Sequence, residues 1–253
     1  MQRWKRVVGG GVSSISGVKR RFSGTTPGLR ILMYHSIKEH APGDSKDLYC
    51  LSPIRFRSHL DFLHDRQADP AFAVHPLAEL QAVGISFTFD DGYLDNLEVA
   101  APLLFEYGFS SHVFVNPSFL MSGERHYLTQ QSLRELANVS GVTIGAHGYS
   151  HRLLTDCTPS ELEFELDASK KWIEDTISRE VTTMAYPHGA MNSEVRLAAA
   201  KAGYKFAVSS KYGIVTSVSD RFALERTEIW STDMESTFRS KLIGNWDWMG
   251  KRT

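Results

Sequence analysis

The stretch VGISFTFDDGYLDN, Val83 to Asn96, decides the fold. Ile85, Phe87 and Phe89 read as a buried strand that ends in two adjacent acids, Asp90 and Asp91, followed by Gly92. A carboxylate at the edge of an apolar core is costly to hold unless something offsets its charge. Two in succession need a reason.

Outward from this strand, short apolar runs alternate with amphipathic segments from Leu29 onward, the pattern of strands and helices taking turns. LRILMYHSI reads as a strand ending at His35. SPIRFRSHLDFLHDR reads as a helix with Ser52 as N-cap and Pro53 in its first turn, and PLAELQAV as a short helix. LDNLEVAAPLLFEYG is a predicted helix closed by Gly108, followed by the strand SSHVFVN. TQQSLRELANVSG then precedes the strand VTIGAH. TPSELEFELDASKKWIEDTI, with a Thr158–Glu161 capping box and Pro159 in its first turn, precedes TTMAYP. NSEVRLAAAKAGY precedes KFAVSS. RFALERTEIW reads as a last strand and MESTFRSKLIGNWDWMG as a closing helix and tail.

These strands are apolar over consecutive residues, as buried parallel strands are, and each ends in polar residues. The expectation is α/β, a single-domain barrel whose C-terminal strand ends open on one face. His35, Asp90, Asp91, His147 and the run YPHG all fall at such ends.

The chain has 253 residues, long enough for one barrel, and 42% of them are hydrophobic. Lys and Arg number 28 against 29 Asp and Glu, so no global charge recommends a nucleic acid partner. The two cysteines, Cys50 and Cys157, have no metal-ligand spacing, and no apolar run is long enough for a membrane span. Residues 1–28 are predicted to form a basic N-terminal tail, flexible or resting on an anionic membrane surface, with the catalytic domain over 29–253. Lys19, Arg20 and Arg21 stand where a secretory signal would carry small residues, so the expected setting is cytoplasmic and membrane-peripheral.

His147 and His151 are four apart, and on one helical turn or a tight loop both imidazoles can grip one cation. Asp91 can add a hard oxygen. Two histidines and a carboxylate leave positions open for water and substrate, the arrangement of a catalytic metal site. Asp90 can then sit beside that water and accept its proton. Taken singly, a four-residue histidine spacing arises by accident in a chain with 10 histidines, and DDG equally describes a capped turn with solvated acids. Together, in order, at strand ends, the motifs are more specific.

ISFTFDDGY and GAHGYSHRLLT, preceded by ILMYHSI and followed by MAYPHGAMN, closely resemble the motifs of the NodB-homology polysaccharide deacetylases. The MYH form is nearer the poly-N-acetylglucosamine deacetylase type. The resemblance runs from about Leu29 to Trp230 and implies a distorted (β/α) barrel that removes acetyl groups from glycans. It implies Asp90 as catalytic base, and Asp91, His147 and His151 as ligands of one divalent metal ion. Zinc is the expected metal, with cobalt, nickel or manganese as substitutes.

The family's third motif carries an arginine where this chain has Ala185. Arg226, in LERTEIW, is the candidate replacement, against the alternative of a surface arginine paired with Glu225 or Glu228. Pro187 and His188 keep the motif's turn, and the His188 amide is a candidate oxyanion donor. No histidine follows His188, so the family's late general acid is missing. His35 is the candidate in its place; the alternative is a strand-end histidine bonded to a neighbouring loop. Tyr93 shapes the sugar site or simply packs, and Trp230, Trp246 and Trp248 stack on sugars or close the barrel.

The function implied is hydrolysis of N-acetyl groups on an amino-sugar-containing glycan or lipid-linked saccharide, by attack of metal-activated water. The alternatives are a deformylase or other amidase acting on a lipid-linked sugar, and a glycan-binding relative without catalysis.

Overall fold

The computed structural model describes residues 27–40 and 46–251. Seven parallel strands close into a barrel in sequence order: β1 (Leu29–Tyr34), β2 (Gly84–Phe89), β3 (Ser111–Val115), β4 (Val142–Ala146), β5 (Thr183–Ala185), β6 (Phe206–Tyr212) and β7 (Leu224–Glu228). β7 pairs back onto β1, Leu32 opposite Thr227. The joints are unequal, six register pairs between β1 and β2 but one between β4 and β5, which gives the barrel its distortion. Helices α1 (Pro53–His64), α2 (Ala101–Glu106), α3 (Pro117–Met121), α4 (Gln130–Ala137), α5 (Pro159–Ile177), α6 (Ser193–Lys201) and α7 (Glu235–Leu242) lie along the connections. Residues 1–26 of the predicted tail lie outside the described residues. Among the described residues no helix is long and apolar enough to cross a membrane.

Local chemistry sets most of these boundaries. The Ser52 side chain accepts from the Arg55 amide at the start of α1, and Thr158 and Glu161 close the predicted capping box on α5. The segment leading into α2 is wider than an α-helix: Asn96–Ala100 forms a π turn, and the Ala101 amide reaches back to the Asn96 carbonyl. Pro102 has no amide to continue the regular ladder, a common setting for such a bulge. The predicted helix PLAELQAV is instead two separate turns, Glu79 N to Pro76 O and Ala82 N to Glu79 O. So short a segment gains little from helix propagation. Burying Leu77 and Leu80 against the barrel stabilises the turns instead.

Alternation along β2 divides its residues between two environments. Phe87 and Phe89 face the helices, packed with Phe56 and Tyr34. Thr88 and Asp90 face the barrel interior, where both meet Arg226 of β7. Leu29, Ile31, Phe114, Val208 and Leu224 close the interior below them. The floor of the barrel is apolar and its upper layer is polar.

Two histidines outside the cleft are buried and neutral. His59 of α1 stacks face to face on Phe238 of α7 at 3.7 Å, and its Nδ1 lies 3.1 Å from the Tyr34 hydroxyl. His112, on β3, meets the Thr183 hydroxyl at 2.6 Å. Burial pushes each imidazole down to about 3. Between pH 6.5 and about 3 the unfolded chain therefore binds protons that the fold excludes, and stability falls as pH falls through that window. Each unit costs about 1.4 kcal/mol per histidine. Denaturant unfolding at pH 7 and pH 5 should show this loss, reduced by roughly 2 kcal/mol in His59→Gln. An identical pH slope in that variant would rule out His59 as a source.

Candidate active site

The site is built where β2, β4 and β7 end. Asp90 continues the inward side of β2 and is 2% exposed. In a regular strand its neighbour would face the helices, but Asp91 has φ 72° and Gly92 also φ 72°. This left-handed pair turns the chain so that both carboxylates line one cleft of about 640 Å³. Among the described residues five non-glycine positions have positive φ, and three of them, Asp91, His151 and His188, line this cleft. Backbone strain of that kind costs about 1–3 kcal/mol each and persists where the surroundings over-determine it.

β4 ends at Ala146, and His147 and His151 follow on a loop rather than a helical turn, with Gly148 at φ 66° and His151 at φ 58°. Their ring centroids are 4.9 Å apart. A buried acid, Glu165 of α5, holds this loop: it accepts from the amides of Tyr149 (2.8 Å) and Ser150 (2.9 Å) and from the Ser150 hydroxyl. Ser169 of the same helix donates to the Gly148 carbonyl at 2.8 Å. Their signal in the sequence is placement. Glu165 and Ser169 share a face with Leu162, Leu166 and Ile173, so an acid and a hydroxyl interrupt the apolar stripe of α5.

One oxygen of Asp91, the Nε2 of His147 and the Nε2 of His151 form a compact donor set, ligand atoms within 4.8 Å of one another. The His147 Nδ1–H donates to the Ala185 carbonyl at 2.8 Å, which leaves its Nε2 lone pair facing Asp91. Burial keeps this ring neutral, its pKa pushed down to about 4. Asp91 Oδ1 is buried without a well-formed hydrogen bond, although His151 Nε2 is 3.2 Å away. A carboxylate oxygen with no aligned donor, faced by an imidazole lone pair, suits a divalent cation. Burial opposes the charge of Asp91, but the nearby His151 ring and the field of His35 hold its carboxyl well below the usual range.

Asp90 has a different environment. Arg226, 1% exposed, donates from both terminal nitrogens to both Asp90 oxygens, each at 2.7 Å. Its Nε–H donates to the Ser209 carbonyl at 2.7 Å, so the guanidinium is fixed by β6 as well. Burial works against Asp90's charge; Arg226, then His147, outweigh it and hold the carboxyl below its ordinary value. Arg226 is therefore no surface residue, and its fork belongs to Asp90 rather than to Glu225 or Glu228. Ala185, where the motif arginine was expected, contributes its carbonyl to His147 instead.

His35 follows β1 directly and lines the cleft; its ring lies 4.6 Å from that of Tyr49, and its Nδ1 is buried without a hydrogen-bond partner among the described residues. His188 lines it too, donating from Nε2 to the His151 carbonyl at 3.1 Å. Tyr93 lines the cleft beside Tyr127, ring centroids 5.2 Å apart. Pro187 is buried behind the wall, next to Gly148. Trp230 and Trp246 do not line the cleft; both rings lie within cation–π distance of the buried Lys241 ammonium. The loop contributing Lys46 and Tyr49 to the wall carried no recognisable motif.

The polysaccharide deacetylase family model matches residues 79–207, which hold β2 to β5 and the donor set. The protein YxkH of Bacillus subtilis (strain 168), named for the same family, is 31% identical over 207 residues, 79% of this chain and 71% of its own. Among solved structures, the deacetylase PplD of Streptococcus pyogenes, in complex with acetate, superposes with a TM-score of 0.72 at 25% identity, covering 86% of this chain and 99% of that one. BC0361, a polysaccharide deacetylase from Bacillus cereus, shares the fold with a TM-score of 0.74 at 22% identity, over 85% of this chain and 69% of its own. By sequence and by architecture, this chain belongs to the polysaccharide deacetylase family.

Proposed function

We propose that the protein is a metal-dependent hydrolase that removes N-acetyl groups from an amino-sugar-containing glycan or lipid-linked saccharide, with zinc as its metal. The observation that carries this reading is the donor set Asp91, His147 and His151 beside Asp90, a carboxylate kept charged by Arg226. When bound, a divalent ion in that set polarises the acyl carbonyl and lowers the pKa of water in the site.

The side chains divide the remaining work. Asp90 accepts the proton of the attacking water, and its two bonds to Arg226 keep one orientation and one charge state. His147, its Nδ1–H committed to Ala185, has its Nε2 lone pair in the proposed donor set and so leaves the role of base to Asp90. His188, with Pro187 behind it, forms the wall where the oxyanion develops, its backbone amide being the proposed donor. Tyr93 and Tyr127 offer apolar faces to a pyranose ring. His35 gives a proton to the amine as the C–N bond breaks, yielding acetate and a free amino sugar. The basic residues among the first 28 are the reason for including lipid-linked substrates and a membrane-peripheral, cytoplasmic setting.

Zinc-loaded protein incubated with N-acetylglucosamine oligosaccharides, free or lipid-linked, should release acetate and free amine in equal amounts. Chelation should stop the release and zinc restore it, with one ion bound per chain. Release of formate alone from formylated sugars would move the reading to a deformylase. Binding of glycan by metal-replete protein without turnover would favour a non-catalytic relative, and folded protein that takes up no metal would refute the site.

A further inference from the structure

Two buried polar residues of the opening motif, Asp95 and Asn96, have no part in the proposed chemistry, yet both reach across to the segment that carries His35. Each is 1% exposed. The Asn96 side-chain amide donates to the His35 carbonyl at 2.8 Å. Asp95 accepts from the Ser36 hydroxyl at 2.7 Å and from the Ile37 amide at 2.8 Å. Three consecutive residues after β1 are thus bonded to two consecutive residues after β2. The tie extends further, because Ser36 also pairs with the next wall of the cleft: its amide donates to Tyr49 O at 3.1 Å and its carbonyl accepts from Leu51 N at 2.9 Å. On the other side the motif is itself anchored, Leu94 N donating to His126 O at 2.8 Å and Leu128 N to Gly92 O at 2.9 Å.

His35 needs such support. It lies beyond the last paired residue of β1, and its Nδ1 has no hydrogen-bond partner among the described residues to fix the ring. Among the described residues, its main chain and the ring contact with Tyr49 orient it. We infer that Asp95 and Asn96 are positioning residues that hold His35 in register with Asp90 and Asp91, so that one short segment sets both the base and the acid sides of the site. This rests on the reading of His35 as the proton donor to the leaving amine. Orientation matters at this scale, since misplacement by about 1 Å can cost 10²-fold in rate.

A proton donor to the leaving group matters for an amide and hardly at all for an aryl ester, whose phenolate leaves unprotonated. In Asn96→Ala and in Asp95→Asn, kcat on an N-acetylglucosamine oligosaccharide should fall at least tenfold while hydrolysis of 4-nitrophenyl acetate changes less than twofold. Zinc content should stay at one ion per chain. His35→Ala should show the same selectivity, and His35→Ala/Asn96→Ala should be no slower than His35→Ala alone, because the two act through one group. Equal losses on ester and amide, or additive losses in the double variant, would overturn the inference.

A readout independent of turnover separates it from the function proposed above. Ring proton–carbon NMR correlations of His35 should be a single sharp set in wild type and broadened or doubled in Asn96→Ala. An unchanged His35 ring in both variants overturns the positioning role whatever the substrate proves to be. A wild type that releases no acetate from any amino sugar, with the ring perturbed as expected, overturns the deacetylase reading alone.

Discussion

Asp90→Asn should lower turnover by about 10²- to 10⁴-fold, the usual contribution of a positioned general base, while zinc uptake persists at one ion per chain. The substitution keeps the shape of the side chain and removes only its charge and basicity. Asp91, His147 and His151 remain, so the metal complement reports an intact donor set while acetate release reports the missing base. The same change leaves Arg226 charged and buried opposite a neutral amide, because guanidinium does not deprotonate in proteins. A lower Tm is therefore expected alongside the lost activity. Full turnover in a folded, metal-loaded Asp90→Asn protein would remove Asp90 from the mechanism.

Removing the other partner should cost more stability. In Arg226→Met the Asp90 carboxylate, 2% exposed, loses two charge-assisted hydrogen bonds at 2.7 Å each. Breaking one side of a buried ion pair costs about 3–5 kcal/mol. For a domain of this size that corresponds to a Tm lower by about 10 °C. The pH dependence follows from the sign of the shift. Arg226 holds the Asp90 carboxyl below its ordinary value, so the pair stabilises the fold above the unfolded carboxylate pKa and is lost as pH falls through the depressed one. Without Arg226 the largest charge opposing burial is gone, and the Asp90 pKa moves up. The deficit of Arg226→Met relative to wild type should accordingly be largest at neutral pH and shrink in acid. Asp90→Asn/Arg226→Met, in which no charge is left uncompensated, should regain part of the loss. A Tm unchanged at pH 7 in Arg226→Met would contradict the geometry of the pair.

Much of the candidate metal site was legible because its signals are local. Asp91 sits at the end of one strand, and the four-residue spacing of His147 and His151 needs only a tight loop to converge. The way in which they converge was not legible: the left-handed conformations at Asp91 and His151 are costly for non-glycine residues and are adopted because Glu165, Gly92 and the surrounding loops impose them. The turns of PLAELQAV show the converse. Their helical pattern was real, but burial of Leu77 and Leu80 at the barrel floor was worth more than a few intrahelical bonds.

The sequence by itself determined the alternation of strand and helix, and hence that the polar strand ends would collect on one face. It also determined which residue types were available there. Only the tertiary structure decided what stands beside Asp90. Arg226 is 136 positions away and reaches it because closing the barrel brings β7 round to β1 and its arginine across the interior to β2. The bonds from Asp95 and Asn96 to the segment of His35 are of the same kind. Sequence periodicity reports which face of an element is buried, but the partner met on that face is set by barrel closure and register.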